Sequence, residues 1–276
     1  MMRILFFGDV FAKPGRQAVK LAIQKLVPEY LPDFIVVNGE NVAHGKGITR
    51  PMAEDFFEMG VDVITTGNHA WDQAESHDYY NKCERLIRPL NYPECDPPLV
   101  PGRGSVVITA RDRPNLKLAV VQLMGRVFMD PLECPFHRAK KEVQKLKAQG
   151  VKNILIDFHG EASSEKQAFA YYMDGEVSAV FGTHSHVQTA DERILPNGTA
   201  AITDVGMSGC FDSVIGTKKE IAIRKFLTKM PTRFEPAEGP PGYGAIIVDI
   251  DEKTGKATKI IRLREEVIKM DGALGR

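Results

Sequence analysis

Five places in this chain put metal-binding or proton-moving side chains directly after a short apolar run. Asp9 follows Ile4-Leu-Phe-Phe-Gly, and Glu40-Asn41 follows Phe34-Ile-Val-Val-Asn-Gly. Asn68-His69 follows Val63-Ile-Thr-Thr-Gly, His159 follows Ile154-Leu-Ile-Asp-Phe, and His184 and His186 follow Val180-Phe-Gly-Thr. Mixed carboxylate, amide and imidazole ligands suit Mn²⁺ or Fe, with Mg²⁺ or Zn²⁺ as alternatives. Two such cations about 3.5–4 Å apart clamp the attacking and leaving oxygens of a phosphoryl transfer. Singly, each fragment has a plainer reading: Asp9 as a helix cap, His159 as a hydrogen-bonded core histidine, Asn68 as a turn residue. Their joint recurrence at strand ends is harder to explain that way, because ligand sites of α/β sheets assemble at the C-terminal edges of parallel strands.

The elements that must place these residues are legible from periodicity. Ile4–Phe7, Phe34–Val37 and Val61–Thr65 are apolar strands, separated by helices over Gly15–Val27 and Pro51–Met59. That βαβαβ opening implies parallel pairing with right-handed crossovers. Ser105–Ala110 and Leu116–Leu123 flank Arg111-Asp-Arg-Pro-Asn115 as a hairpin, and Ala139–Gln149 is a charged amphipathic helix closed by Gly150. Asn153–Asp157, Ala179–Phe181, Ala200–Asp204, Ala245–Ile250 and Lys259–Leu263 supply further strands. A parallel half and a more antiparallel half predict an αββα sandwich of two mixed sheets in one domain spanning residues 1–276. Residues 206–243, rich in Gly, Pro and Lys, read as an excursion near the site, a lid or an interface.

Bulk properties narrow the function classes. Lys plus Arg and Asp plus Glu number 36 each, so the chain lacks the basic excess of a non-specific nucleic-acid binder. Cys83, Cys95, Cys134 and Cys210 form no C-x-x-C pair and read as reduced thiols. The opening Met1-Met-Arg-Ile-Leu-Phe-Phe is too short for a signal-peptide core, and no apolar run approaches the roughly 20 residues of a membrane span. A cytoplasmic protein without a membrane partner is the expectation.

Taken in order, the fragments resemble the calcineurin-like metallophosphoesterase superfamily, whose pattern is Asp-x-His, Gly-Asp, Gly-Asn-His-Asp/Glu, His, Gly-His-x-His. Here the chain has Asp9-Val-Phe11, Gly39-Glu-Asn41, Gly67-Asn-His-Ala70, His159 and Gly182-Thr-His-Ser-His186. Phe11 replaces the expected metal-binding His, and Glu40 replaces the bridging Asp. Asn41 could restore the coordination count as an oxygen ligand. The combination is similar to one bacterial branch, the YmdB-like cyclic-nucleotide phosphodiesterases. Gly39-Glu-Asn-Val-Ala-His-Gly-Lys-Gly-Ile-Thr49, Asp157-Phe-His-Gly-Glu161 and Ile202-Thr-Asp-Val-Gly-Met207 also resemble that branch.

The resemblance implies two ions per chain, one on Asp9, Glu40, Asn41 and His186, the other on Glu40, Asn68, His159 and His184. It implies a bridging water or hydroxide that attacks phosphorus in line. His69, left unligated, is placed to protonate the leaving alkoxide or to stabilise charge on a phosphoryl oxygen. The acid that usually follows that His is absent at Ala70; Asp72 either orients His69 or caps a helix. His44, Lys46 and Arg126 are further candidates for substrate contact. The expected substrates are 2′,3′- or 3′,5′-cyclic nucleotides, with RNA as a further class and a second copy of the chain as a candidate partner. A phosphomonoesterase (a nucleotidase) or a non-catalytic nucleotide- or RNA-binding regulator are the alternatives.

Overall fold

In the computed structural model, which describes residues 1–94 and 99–267, Met2–Phe7 forms strand β1 and leads into helix α1, Ala12–Tyr30. Cys95 therefore lies outside the described residues. Next come β2 (Phe34–Asn38), α2 (Arg50–Glu58), β3 (Val63–Thr65) and the short α3 (His77–Lys82). The second half holds β4 (Ser105–Ala110), β5 (Arg113–Met124), α4 (Pro135–Ala148), β6 (Ile154–His159), α5 (Ser163–Tyr172) and β7 (Ala179–Thr183). The short strands β8 (Arg193–Ile194), β9 (Ala200–Ile202) and β10 (Gly209–Cys210) follow. Helix α6 (Lys219–Thr228), β11 (Pro241–Asp251) and β12 (Lys256–Glu266) complete the described chain.

Two six-stranded sheets result, ordered β10-β11-β1-β2-β3, with β12 also on β11, and β4-β5-β6-β7-β9-β8. β1, β2 and β3 are mutually parallel, as are β5, β6, β7 and β9. The antiparallel pairs lie toward the edges of both sheets. This differs from the expected division into a parallel and a more antiparallel half, because the βαβ rhythm resumes after the β4–β5 hairpin through α4 and α5. The hairpin itself turns at Arg111-Asp112, tighter than expected, since β5 already pairs at Arg113.

Alternate residues of each strand face opposite layers. Ile4 and Phe6 enter a core between the sheets with Val120, Leu155 and Phe181, while Leu5 and Phe7 pack outward against Val19, Ala22 and Phe56 of α1 and α2. The other outer layer sets Val121 and Ile156 against Val143 and Leu146 of α4 and Phe169 of α5. The layers are therefore helix, sheet, sheet, helix, as expected. The Phe6 and Phe181 rings meet edge-on across the sheets with centroids 5.5 Å apart. This face-to-face packing aligns the C-terminal ends of the two parallel strand sets.

Candidate active site

Those aligned ends carry all the predicted ligands. β1 delivers Asp9, β2 delivers Glu40 and Asn41, and β3 delivers Asn68 and His69 from one sheet. From the other, His159 ends β6, and His184 and His186 follow β7. Asp9, Glu40, Asn41 and His159 are buried, so their polar atoms must find partners inside.

The partners fall into two groups that share one oxygen. Around His159 Nε2 lie Asn68 Oδ1 at 2.9 Å, His184 Nδ1 at 3.0 Å and Glu40 Oε1 at 3.2 Å. Around the Asn41 amide nitrogen lie the same Glu40 Oε1 at 3.0 Å, His186 Nε2 at 3.1 Å and Asp9 Oδ1 at 3.4 Å. Ligands about 2.1 Å from one ion and at right angles sit about 3 Å apart, so the first group has the spacing of half a coordination shell. Glu40, His159 and His184 by themselves offer three ligand atoms within 4.8 Å of one another. The second group fits an ion after the Asn41 amide turns over to present its oxygen, an orientation set by surroundings rather than shape.

Electrostatics support the same reading. Burial opposes charge on His159, but Glu40, Asp9 and Asp157 outweigh it and push the imidazole up to about 9. Burial and then the His159 charge bring His184 down to about 3. Burial would raise Glu40, yet His159 holds it well below the usual carboxylate range; Asp9 is raised by burial against the pull of His186 and His159. The His159 imidazolium is thus paired chiefly with the Glu40 carboxylate.

Each imidazole is fixed through its outer nitrogen, which sets the tautomer and aims the inner one. His159 Nδ1 meets Thr183 Oγ1 at 2.9 Å, and that hydroxyl donates to Asp157 Oδ1 at 2.6 Å. Asp157 also accepts from Asn38 and Thr65, and burial pushes it up to about 6. His184 Nε2 meets Glu161 at 3.1 Å, and His186 Nδ1 meets the Ile215 carbonyl at 2.9 Å. His69 Nδ1 meets Asp72 Oδ2 at 2.9 Å, in the orienting place; Asp72 caps neither neighbouring helical segment, whose N-caps are Gln73 and Ser76. None of these outer partners was assigned a role from the sequence except Asp72. A polar residue inside an apolar strand, Asp157 in Ile154-Leu-Ile-Asp-Phe or Asn38 in Phe34-Ile-Val-Val-Asn, was the available signal.

The weaker candidates are not drawn into the cluster. His44 and Lys46 stand exposed on the turn after Asn41, His44 in a left-handed conformation at φ 55°. Arg126 is exposed with its guanidinium 3.5 Å from Cys134 Sγ. Phe11, at the position of the missing His, packs edge-on against the His186 ring with centroids 5.6 Å apart. A Cβ on Gly45 or Gly216 would strike the Phe11 ring at 2.8 Å and 2.6 Å, so the ring seats both loops beside the site.

A two-sheet sandwich with carboxylate, amide and imidazole side chains converging at its shared strand ends is the arrangement of a metallophosphoesterase, a class of enzyme that hydrolyses phosphate esters with divalent metal ions. The chain belongs to the YmdB-like protein family, whose model matches residues 5–263. It is 47% identical over 262 residues to the 2′,3′-cyclic-nucleotide 2′-phosphodiesterase of Bacillus subtilis (strain 168), covering 95% of this chain and 96% of that one. A solved phosphatase from Mycoplasma pneumoniae superposes with a TM-score of 0.88 at 35% identity, covering 96% of this chain and 93% of the other. A hypothetical protein from Thermus thermophilus superposes with a TM-score of 0.87 at 40% identity over 96% of this chain and 99% of its own.

Proposed function

We propose that this chain opens 2′,3′-cyclic nucleotides, and by extension other phosphodiesters, using two ions held by Asp9, Glu40, Asn41 and His186 and by Glu40, Asn68, His159 and His184. The observation that carries the reading is Glu40 Oε1, 3.2 Å from His159 Nε2 and 3.0 Å from Asn41 Nδ2, one oxygen common to both ligand groups. Iron or manganese suits the donor set best. When bound, such ions supply Lewis-acid charge to a phosphoryl oxygen and acidify water.

The chain's own groups do the rest. His69 stands beside the cluster, its backbone nitrogen 3.3 Å from Glu40 Oε2 and its ring held by Asp72. It donates the proton that a departing 2′ alkoxide requires, and Asp72, by engaging Nδ1, leaves Nε2 to carry that proton. A diester carries one negative charge on its phosphoryl group and a monoester about two near neutral pH. Among the described residues, Lys46 and Arg126 are the cationic candidates for substrate contact and both stand outside the cluster, which favours the diester. The B. subtilis relative's name favours the same substrate class. Reduced Cys83, Cys134 and Cys210 and the absence, among the described residues, of a helix long and apolar enough to cross a membrane accord with a cytoplasmic setting.

The test compares 2′,3′-cyclic AMP, 3′,5′-cyclic AMP and their ring-opened monoesters under one metal and one pH, with the products identified by chromatography. The diester is expected to exceed the matching monoester by at least about tenfold in kcat/KM, or ~1.4 kcal/mol in the barrier. Faster monoesters would replace this reading by the nucleotidase. No turnover of any ester by metal-loaded protein would leave the binding regulator.

A further inference from the structure

The loop that carries His184 and His186 is held in a strained shape. Both residues have left-handed backbone, at φ 103° and φ 62°, a conformation that persists in side-chain-bearing residues only where the surroundings impose it. Between them lies Ser185, and beneath Ser185 lies a buried carboxylate. Asp204 Oδ2 accepts from Ser185 N at 3.1 Å, from Ser185 Oγ at 2.6 Å and from Lys166 Nζ at 2.6 Å. Its other oxygen accepts from Gly206 N at 2.8 Å. Asp204 is fully buried and Lys166 is 3% exposed. The Lys166 stem crosses Gly182, where an added Cβ would approach it to 3.1 Å, and so reaches the carboxylate from α5 below the turn.

A buried ion pair contributes little net stability over an apolar pair of similar size, since desolvation offsets the attraction. One carboxylate oxygen with three donors does something else: it fixes where a backbone nitrogen and a hydroxyl sit. We propose that the Lys166–Asp204 pair, acting through Ser185, is the positioning device for His184 and His186. It holds the chain between them in its strained form so that both imidazoles meet their ions without rearrangement. Lys166 centres the Asp204 carboxylate; Asp204 holds Ser185; Ser185 fixes the backbone on both sides. The proposal rests on the reading of these histidines as metal ligands, and the two fail differently in the test.

Co²⁺-loaded wild type is compared with Ser185→Ala and with the double variant Lys166→Met/Asp204→Leu. Three quantities are read: metal content, the rate of Co²⁺ loss to a chelator, and the visible ligand-field spectrum. Outer partners of this kind typically change metal affinity about 10–100-fold. The double variant should lose Co²⁺ at least about tenfold faster and show a shifted spectrum. Ser185→Ala should shift the same quantities in the same direction by a smaller factor. Unchanged loss rate and spectrum in folded variants would overturn the proposal. Should the double variant fail to fold, Ser185→Ala decides alone, and wild-type behaviour there refutes it. A wild type that binds no Co²⁺ would instead refute the ligand assignment itself.

Discussion

At the scale of single residues, the buried cluster couples charge and metal. Removing the shared oxygen in Glu40→Ala should release both ions, so elemental analysis is expected to fall from two per chain toward none. A variant that keeps one tightly bound ion would show that the two groups are independent. His69→Ala should keep both ions yet lower kcat by ~10²–10⁴, because a positioned general acid contributes about that factor. Metal loss in that variant would make His69 a ligand. Loading has a proton signature too. Metal-free His159 is pushed up to about 9, so it carries a proton at neutral pH and must give it up to bind as neutral imidazole. Calorimetry of metal addition in buffers of different ionisation heat should therefore show proton release at pH 7 that fades as pH rises past about 9. Release that does not change over that range would place the proton elsewhere.

At the scale of elements, the strand-glycine-ligand step leaves no room for a side chain. A Cβ on Gly67 would lie 2.2 Å from Glu40 Oε2 and 2.5 Å from His159 Nε2. Gly67→Ala should cost about 1–3 kcal/mol by overpacking and, more tellingly, sharply weaken metal retention. Full metal content at wild-type stability would mean that β3 yields more readily than its packing suggests. Most strands and the layer order were legible because apolar runs are local signals, and the residues that end those runs are the seven proposed ligands; the two-residue β8 and β10 carried no such run. Three helices were not legible, the short α3 among them. In α5 the sequence Ser163-Ser-Glu-Lys-Gln-Ala-Phe-Ala-Tyr-Tyr buries a glutamate and a lysine, so polarity hides the face that packs. In α6, inside the expected excursion, only Ala222 is buried, leaving no inward stripe to recognise. The outer partners of the histidines stayed hidden for another reason: Thr183, Glu161 and Ile215 matter through contacts made across the fold, and nothing local marks a carbonyl as a partner.

At the scale of the whole molecule, α6 turns its apolar side outward. Ile223, Phe226 and Leu227 are 53%, 70% and 80% exposed and lie three and four residues apart, with Met230 and Phe234 beyond them also exposed. Stripes of that spacing normally face a partner. We expect α6 to meet a second copy of the chain, so the excursion would be an interface rather than a lid. Light scattering should then report an oligomer that Phe226→Glu/Leu227→Glu reduces to a monomer; an already monomeric wild type would return the segment to the lid reading. The sheet order has a different kind of consequence. β1, which leads to Asp9, is flanked by β2 on one side and by β11 on the other, so its second neighbour is made more than two hundred residues later. At a synthesis rate of about 5–20 residues per second, β1 waits on the order of ten seconds or more for that edge to be covered. Until β11 leaves the ribosome, β1 has one edge with no strand beside it. The sheet beside the proposed ligands is thus completed late, by a strand that carries none of them.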